Sequence, residues 1–316
     1  MLRPDNGACH GSCSRFAPWH EPRQFAIAGQ ANVRFIQKGN NMSLVVSWIG
    51  VDTHGTASAY IAGDSRISWN KSAHFDYGRK VYASKQYPEL LGYCGDVLFP
   101  SIVVSQVFEM IDRNVLINEK HTCKQKYEIV KNKILSSFKS YPTDVAGITQ
   151  DQFQFIYITK ETILKKPKFE AYLMDWKKGR GWRGKEVALP NKSSILYTLG
   201  SGSIEYTENY KRYEEGPTHG TSRAVFHCFC DTLSHIRDPN CGGAPQIVGI
   251  YRKPESSAID FGVIYKNNRY FLGKNIEKAS YLNNIEWRNR LFEICDGLTK
   301  KPKPGVARQP DILKRD

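Results

Sequence analysis

Residues 43–62 read SLVVSWIGVDTHGTASAYIA, and this stretch sets the first step of the fold. Ser43–Gly50 is rich in β-branched and aromatic residues, Asp52–Thr56 is typical of a turn, and Ala57–Ala62 resumes the strand pattern. Two such runs around a turn predict a β-hairpin. The polar run at residues 37–41 ends just before it, so Ser43 stands at the head of the first predicted strand.

The chain divides into three parts by composition. Residues 1–42 are rich in Gly, Pro, Asn, Gln and His and show no sustained hydrophobic period. We interpret them as a disordered leader, a propeptide, or translation from a start codon placed too early. Residues 43–297 carry the periodic segments and form the predicted domain, whereas residues 298–316 are a Pro-rich basic tail that we expect to be disordered.

The domain alternates between strands and paired helices. Further strands are predicted at 81–83, 90–94, 152–159, 169–175, 194–199, 246–251, 258–265 and 270–272. Helices are predicted at 100–111, 124–138, 204–214, 222–236 and 276–294. This order predicts a sheet-rich α+β chain with its helices in two blocks.

Charge and composition exclude several classes of protein. The chain has 45 Lys+Arg against 31 Asp+Glu, a net charge of +14, but these residues are spread along it and no nucleic-acid reader motif is present. We therefore predict no nucleic-acid partner. No apolar run reaches the roughly 18 residues of a membrane span, and no apolar core of a secretory signal is present, so we predict a cytoplasmic protein without a membrane partner.

Two features could carry chemistry. Removal of Met42 would give Ser43 a free α-amine, whose pKa of about 7.7–8.0 suits a general base next to the hydroxyl. Lys80 follows Asp64 by sixteen residues, and a lysine held by a carboxylate beside a hydroxyl favours the ionised hydroxyl. Each feature has a plain alternative: Ser43 as an ordinary strand residue, and Asp64–Arg66 as a surface turn.

Together with three glycine-containing turns, these features resemble the β-subunit family of proteasomes and its bacterial peptidase relatives, N-terminal-nucleophile hydrolases. The resemblance covers residues 43 to about 275. Ser43 matches the family's terminal threonine, Asp64 and Arg66 match its D-x-R motif, and Lys80 matches its catalytic lysine. Gly95 matches the glycine that forms the oxyanion hole.

The two later turns, at residues 200–203 and 237–243, complete the resemblance. Ser201 lies in a G-S-G-S turn and Asp238 in an R-D-x-x-C-G-G turn, and both match residues that orient the terminus in the family. Two departures stand out, because serine replaces threonine at the head of the strand and Cys241 replaces a serine. Threonine's β-branch restricts χ1, whereas serine can occupy three rotamers. The serine therefore costs at most about RT ln 3 in activation free energy, which is roughly threefold in rate.

The resemblance implies a four-layer αββα sandwich and a peptidase that uses Ser43 as nucleophile and its α-amine as base. Asp64, Lys80, Gly95, Ser201 and Asp238 complete the implied catalytic set, and no cofactor or metal is implied. It also implies a polypeptide substrate, a homo-oligomeric ring and compatibility with an ATP-dependent unfoldase. Two alternatives remain open: a catalytically inactive structural ring subunit, and an amidohydrolase acting on a small amide.

Overall fold

Two large β-sheets form the framework of the described chain. The computed structural model describes residues 42–69, 72–143, 151–164, 166–253, 256–278 and 280–308. Residues 1–41 of the predicted leader (1–42) and residues 309–316 of the predicted tail (298–316) lie outside the described residues. The strands are β1 (Val45–Asp52), β2 (Gly55–Gly63), β3 (Ile67–Ser68), β4 (His74–Phe75), β5 (Val81–Ala83), β6 (Glu89–Gly95), β7 (Gln152–Ile163), β8 (Lys166–Lys177), β9 (Gly181–Val187), β10 (Ser194–Leu199), β11 (Gln246–Tyr251), β12 (Ile259–Tyr265), β13 (Asn268–Phe271), β14 (Lys274–Asn275), β15 (Trp287–Asn289) and β16 (Ile294–Cys295). The α-helices are α1 (Leu98–Asp112), α2 (Cys123–Lys139), α3 (Ser203–Glu214) and α4 (Ser222–His235), and a 3₁₀-helix spans Leu282–Asn284.

The first sheet has nine strands, and β1 lies between β10 and β2 within it. Its main path runs β10-β1-β2-β11-β12-β13-β14. β1 and β2 pair antiparallel from Val45↔Gly63 to Asp52↔Gly55, which confirms the predicted hairpin. β10 pairs antiparallel with the other side of β1. The residues that follow β2 and β10 therefore lie beside Ser43.

The second sheet has five antiparallel strands in the order β5-β6-β7-β8-β9. Lys80 immediately precedes β5, and Gly95 ends β6. Because β5 and β6 are antiparallel, with Val81 opposite Gly92, the start of β5 lies beside the end of β6. The second sheet thus brings Lys80 and Gly95 to one edge.

Strand alternation explains why β1 is buried on both faces. Val46 and Trp48 belong to a core cluster with residues of α3 and α4, such as Phe226. Val45 and Ile49 point the other way, into a cluster shared with strands of the second sheet. Successive side chains of a strand point to opposite faces, so a strand between two cores reads as a continuous apolar run.

The helices α1 and α2 pack on the second sheet. Val103, Val104, Val107 and Phe108 are all buried in the cluster that these helices form with β6, β7 and β8. A single chain therefore buries these side chains without a partner copy. By contrast, Leu98 and Ile102 at the start of α1 are exposed, at 51% and 47%.

The last predicted helix, at residues 276–294, is wrong. The segment contains the 3₁₀-helix, β15 and β16, and β15 pairs in parallel with β12. Trp287 explains the difference, because its ring packs against the backbone of Gly262, where a Cβ would lie 2.5 Å from it. Within the predicted tail, Pro302 forms a bridge with Cys295.

The predicted fold class, an α+β four-layer αββα sandwich, is likewise corrected. Of the described residues, 37% lie in strands and 24% in helices. The sheets are large and mostly antiparallel, and the chain ends in added strands where the prediction placed a closing helix. The described chain is therefore a β-rich fold. No helix within the described ranges has the length and apolar character needed to cross a bilayer.

Candidate active site

Ser43 lies two residues before the start of β1 with its side chain buried, and the turn after β10 holds its backbone. The Gly202 N–H donates a hydrogen bond to the Ser43 carbonyl oxygen at 3.2 Å. Gly200 has a φ of 87°, and a Cβ there would lie 2.0 Å from the same oxygen. Glycine is therefore required at position 200 for this close backbone contact.

Lys80 and Asp64 form a buried ion pair beside the Ser43 hydroxyl. Lys80 Nζ donates to Ser43 Oγ at 2.7 Å and to Asp64 Oδ1 at 2.8 Å. Both charged residues have no exposed surface. An ammonium group at hydrogen-bond distance stabilises an alkoxide, so this arrangement can activate the Ser43 hydroxyl.

Backbone N–H groups satisfy the remaining lone pairs of Asp64. Leu44 N–H donates to Oδ1 at 2.9 Å, and the N–H groups of Gly242 and Arg66 donate to Oδ2 at 3.1 and 3.2 Å. A buried ion pair is tolerated when further hydrogen bonds of this kind support it. Asp64 thereby joins the starts of β1 and β3 to the turn before β11.

Gly95 presents its N–H toward the peptide bond that precedes Ser43. It donates to the Met42 carbonyl oxygen at 3.3 Å. Its φ is 94°, and a Cβ there would lie 2.4 Å from the Gln152 carbonyl oxygen. This conformation, which favours glycine, aims the donor at a carbonyl beside the hydroxyl, as an oxyanion hole does.

The side chain of Cys241 lies between those of Ser201 and Asp238 and contacts both. Ser201 Oγ is 3.8 Å from Cys241 Sγ, which is 3.5 Å from Asp238 Oδ2. Burial raises the pKa of the Cys241 thiol well above its usual range, and the nearby carboxylates of Asp64 and Asp238 act in the same direction. Cys241 is therefore a neutral thiol that bridges the two residues. Neither of them enters the hydrogen bonds of the Lys80 ammonium.

Arg66 of the D-x-R motif turns away from Ser43. It pairs with Asp76 through two hydrogen bonds of 2.7 and 2.9 Å and also donates to the Pro239 carbonyl at 3.2 Å. The Asp76 partnership raises the pKa of Arg66, and Arg66 lowers the pKa of Asp76. Arg66 thus fastens the turn that carries Asp238 to the β3–β4 hairpin.

Gln246 is a buried residue of the site that sequence reasoning missed. It begins β11, and its side-chain oxygen accepts a hydrogen bond from the Lys80 backbone N–H at 3.1 Å. Its side chain lies 166 positions from Lys80 in sequence. The one available signal was a polar residue heading an apolar strand, which is common at strand ends.

Potential metal ligands lie together elsewhere, on α2, β7 and β8. Cys123, Glu161 and Glu170 bring a sulfur and two carboxylates within 4.8 Å of one another. Lys168 Nζ pairs with both glutamates, at 3.6 and 2.5 Å. The ammonium offsets part of the carboxylate charge, and the three residues lie on elements other than those that carry Ser43, Asp64 and Lys80.

Comparison with known proteins finds distant likeness in solved structures. No protein-family model and no curated protein matches the chain. The helical assembly of the Anbu complex from Pseudomonas aeruginosa is 13% identical, with a TM-score of 0.49 over 76% of this chain and 90% of that one. Anbu, the ancestral beta-subunit, from Yersinia bercovieri is 10% identical, with a TM-score of 0.45 over 73% and 88%. Anbu from Hyphomicrobium sp. strain MC1 is 11% identical, with a TM-score of 0.43 over 74% and 89%.

The fold of the described chain corrects the family assignment drawn from the sequence motifs. The described chain is a mostly antiparallel, β-rich fold and not the sandwich that the proteasome β-subunit resemblance implied. The solved structures lie at low identity and below a TM-score of 0.5. The chemistry of the site therefore rests on the geometry of its own residues.

Proposed function

We propose that this protein hydrolyses peptide amide bonds with Ser43 as a chain-terminal nucleophile. The observation that carries the proposal is the Lys80 ammonium, 2.7 Å from Ser43 Oγ and paired with Asp64 in a fully buried site. A lysine placed in this way lowers the free energy of the alkoxide at the atom that must attack. An ordinary strand residue has no need of a desolvated ammonium on its hydroxyl, since burying that charge is expensive.

Release of Ser43 from residue 42 supplies the base. Ser43 has a φ of 131°, and a non-glycine residue in this region carries about 1–3 kcal/mol of strain. A terminal residue has no φ, so cleavage of the Met42–Ser43 bond relieves this strain and yields the α-amine. Initiator-methionine removal leads to this product, and so does attack by Ser43 Oγ on the Met42 carbonyl carbon. That attack breaks the C–N bond, transfers the acyl group to Oγ and frees the α-amine, and water then hydrolyses the ester. For the second route, the Met42 carbonyl oxygen already accepts a hydrogen bond from the Gly95 N–H.

The reaction then proceeds by acyl transfer. Ser43 Oγ attacks the substrate carbonyl carbon while the Ser43 α-amine accepts the hydroxyl proton. The Gly95 N–H donates to the oxyanion, a contact of a kind worth about 3 kcal/mol. The C–N bond breaks as the leaving amine takes the proton, and water then hydrolyses the Ser43 ester with the α-amine again as base. Ser201, Cys241 and Asp238 orient the turn against which the terminus lies.

The deciding experiment compares chains that differ at their N-terminus and at Lys80. We expect a chain beginning at Ser43 to hydrolyse fluorogenic peptides, and the Ser43→Ala and Lys80→Ala variants to lose this activity while keeping the fold. Intact mass of the natively expressed protein should show residue 43 at the terminus. Full activity in a protein whose mass retains residue 1 would overturn the mechanism.

The substrate series separates the alternatives. Hydrolysis of small amides without hydrolysis of peptides would favour an amidohydrolase built on the same residues. Absence of both activities from a folded chain beginning at Ser43 would favour a structural subunit.

Self-association is the second part of the proposal. Leu98 and Ile102 expose apolar surface at the start of α1, on a helix whose other apolar side chains are buried or, for Met110, half-buried. Association of copies through this surface would remove it from water. Sedimentation of the chain beginning at Ser43, compared with a Leu98→Glu/Ile102→Glu variant, tests this: a wild-type monomer at micromolar concentration would refute it.

A further inference from the structure

Asp64 and Lys80 belong to different sheets, although they form one ion pair. Asp64 follows β2 of the first sheet, whereas Lys80 precedes β5 of the second sheet. The small β3–β4 hairpin separates them in sequence. No ladder of hydrogen bonds within one sheet can therefore set the distance between the Asp64 carboxylate and the Lys80 ammonium.

The side chain of Gln246 joins the two sheets at this point. Its Nε2 group donates to the Asp64 carbonyl oxygen at 3.1 Å and to the Gly78 carbonyl oxygen at 2.6 Å. Its Oε1 atom accepts from the Lys80 backbone N–H at 3.1 Å. Gln246 is 1% exposed, so these three hydrogen bonds form without competition from water.

We propose that Gln246 is a positioning residue that holds Lys80 against Asp64 and Ser43. This inference rests on the proposed function, because it concerns the lysine assigned to activate Ser43. Gln246 touches neither the nucleophile nor the substrate carbonyl; it acts through the Lys80 backbone. A misplacement of about 1 Å in a reacting constellation can cost on the order of a hundredfold in rate.

The chemistry of the three contacts requires a side-chain amide. Two carbonyl oxygens need donors and one N–H needs an acceptor, and an amide offers both functions on one planar group. A carboxylate would accept from Lys80 but would face the Asp64 and Gly78 carbonyls without a donor. A protonated carboxyl group would restore one donor. Methionine fills a similar volume and supplies none of the hydrogen bonds.

The experiment measures kcat and KM for peptide hydrolysis between pH 5.5 and 9 in Gln246→Met, Gln246→Glu and Thr159→Val. Thr159 is a matched control because it is buried and donates to Glu89 at 3.0 Å, outside the proposed site. We expect Gln246→Met to lower kcat by about ten- to a hundredfold with KM within about twofold of wild type. Gln246→Glu should regain activity relative to wild type as the pH falls, whereas Thr159→Val should keep wild-type kcat.

A Gln246→Met protein that loses no more kcat than Thr159→Val would overturn the inference, as would a loss that only follows the folded fraction. Hydrogen exchange at the Lys80 amide gives a readout that does not need activity. We expect faster exchange in Gln246→Met than in wild type, and unchanged exchange would overturn the inference. Failure of the proposed function looks different: wild type and Lys80→Ala would hydrolyse equally poorly, while the exchange of the Lys80 amide would still depend on Gln246.

Discussion

The Lys80–Asp64 pair and the Lys126–Glu89 pair have the same chemistry in different surroundings. Both lysines lie 2.8 Å from their carboxylates, and all four residues are buried. Lys80 directs its second hydrogen bond to the Ser43 hydroxyl, whereas Lys126 directs its own to the Lys160 carbonyl oxygen at 3.0 Å. The two lysines thus differ in their second acceptor, which is a side-chain hydroxyl for Lys80 and a backbone carbonyl for Lys126.

Glu89 is enclosed by permanent partners. Thr159 donates to it at 3.0 Å, and Tyr157 donates to its other oxygen. Burial raises the pKa of Glu89, while Lys126 and these hydrogen bonds oppose that effect. Beyond the ion pair itself, the hydrogen-bond partners described for these two side chains all lie within β7. A buried lysine and carboxylate are therefore insufficient to mark a catalytic site, and the hydroxyl at the head of β1 makes the difference.

The largest expected effect comes from removing each lysine in turn. We expect Lys80→Met to lower kcat/KM for peptide hydrolysis by about a thousandfold or more, because it removes the group that stabilises the alkoxide. Lys126→Met should stay within about threefold when assayed at a temperature at which it is folded. Circular dichroism of both variants provides the folding control. Equal losses of activity would remove the distinction between the two pairs.

The next effect concerns stability, which should depend on Lys126 and should vary with pH in the Lys126→Met variant. Lys126→Met leaves Glu89 buried without its cation, which we expect to lower the free energy of unfolding by about 3–5 kcal/mol at pH 7. Without Lys126 the folded pKa of Glu89 rises further above its ordinary value of 4.5. Stability is then lost as the pH rises from 4.5 through that higher folded pKa, so the deficit should shrink on acidification.

Denaturant unfolding at pH 7 and pH 5 measures this deficit. The reference is wild type at the same pH, so that other titrating groups cancel. A deficit that grows on acidification would contradict the assignment of Glu89 as a desolvated carboxylate.

A smaller effect should follow from Ser43→Thr. The β-branch of threonine restricts χ1, and the gain over serine is at most about threefold in kcat. The measurement is kcat of the chain beginning at residue 43, with Ser47→Thr on β1 as a control for added volume. A loss larger than tenfold would show that the hydroxyl is already oriented by Lys80 and that the pocket has no room for a methyl group.

The smallest expected effect is that of thiol alkylation. A buried cysteine accompanies each ion pair, and burial raises the pKa of Cys94 and of Cys123 to about 12. Neither lysine therefore maintains a thiolate. Iodoacetamide at pH 7.5 should leave peptide hydrolysis unchanged, with intact mass showing both thiols unmodified. Inactivation coupled to alkylation of Cys94 would indicate that the Cys94 sulfur, and not Ser43 Oγ, is the nucleophile.

The sequence alone determined the local parts of this protein. The β1–β2 hairpin follows from alternating apolar runs around a turn, and both helix pairs follow from their hydrophobic period. The order Ser43, Asp64, Lys80, Gly95 was visible because each residue adjoins the end of a recognisable strand. The structure places the first three within hydrogen-bond distance. Their catalytic roles stay predictions that the variants above test.

Only the tertiary structure decided the parts that depend on distant pairing. The apolar spacing of residues 276–294 predicts a helix, but pairing of β15 with β12 and the packing of Trp287 on Gly262 outweigh that local preference. Gln246 reaches Lys80 across 166 positions, and Lys126 reaches Glu89 across 37. Periodicity reports which face of an element is apolar, whereas the partner of a buried polar group is set by which strands and helices pack together. For that physical reason the sequence indicated Lys80 by its spacing from Asp64 but gave no sign that Lys126 forms a second buried pair with Glu89.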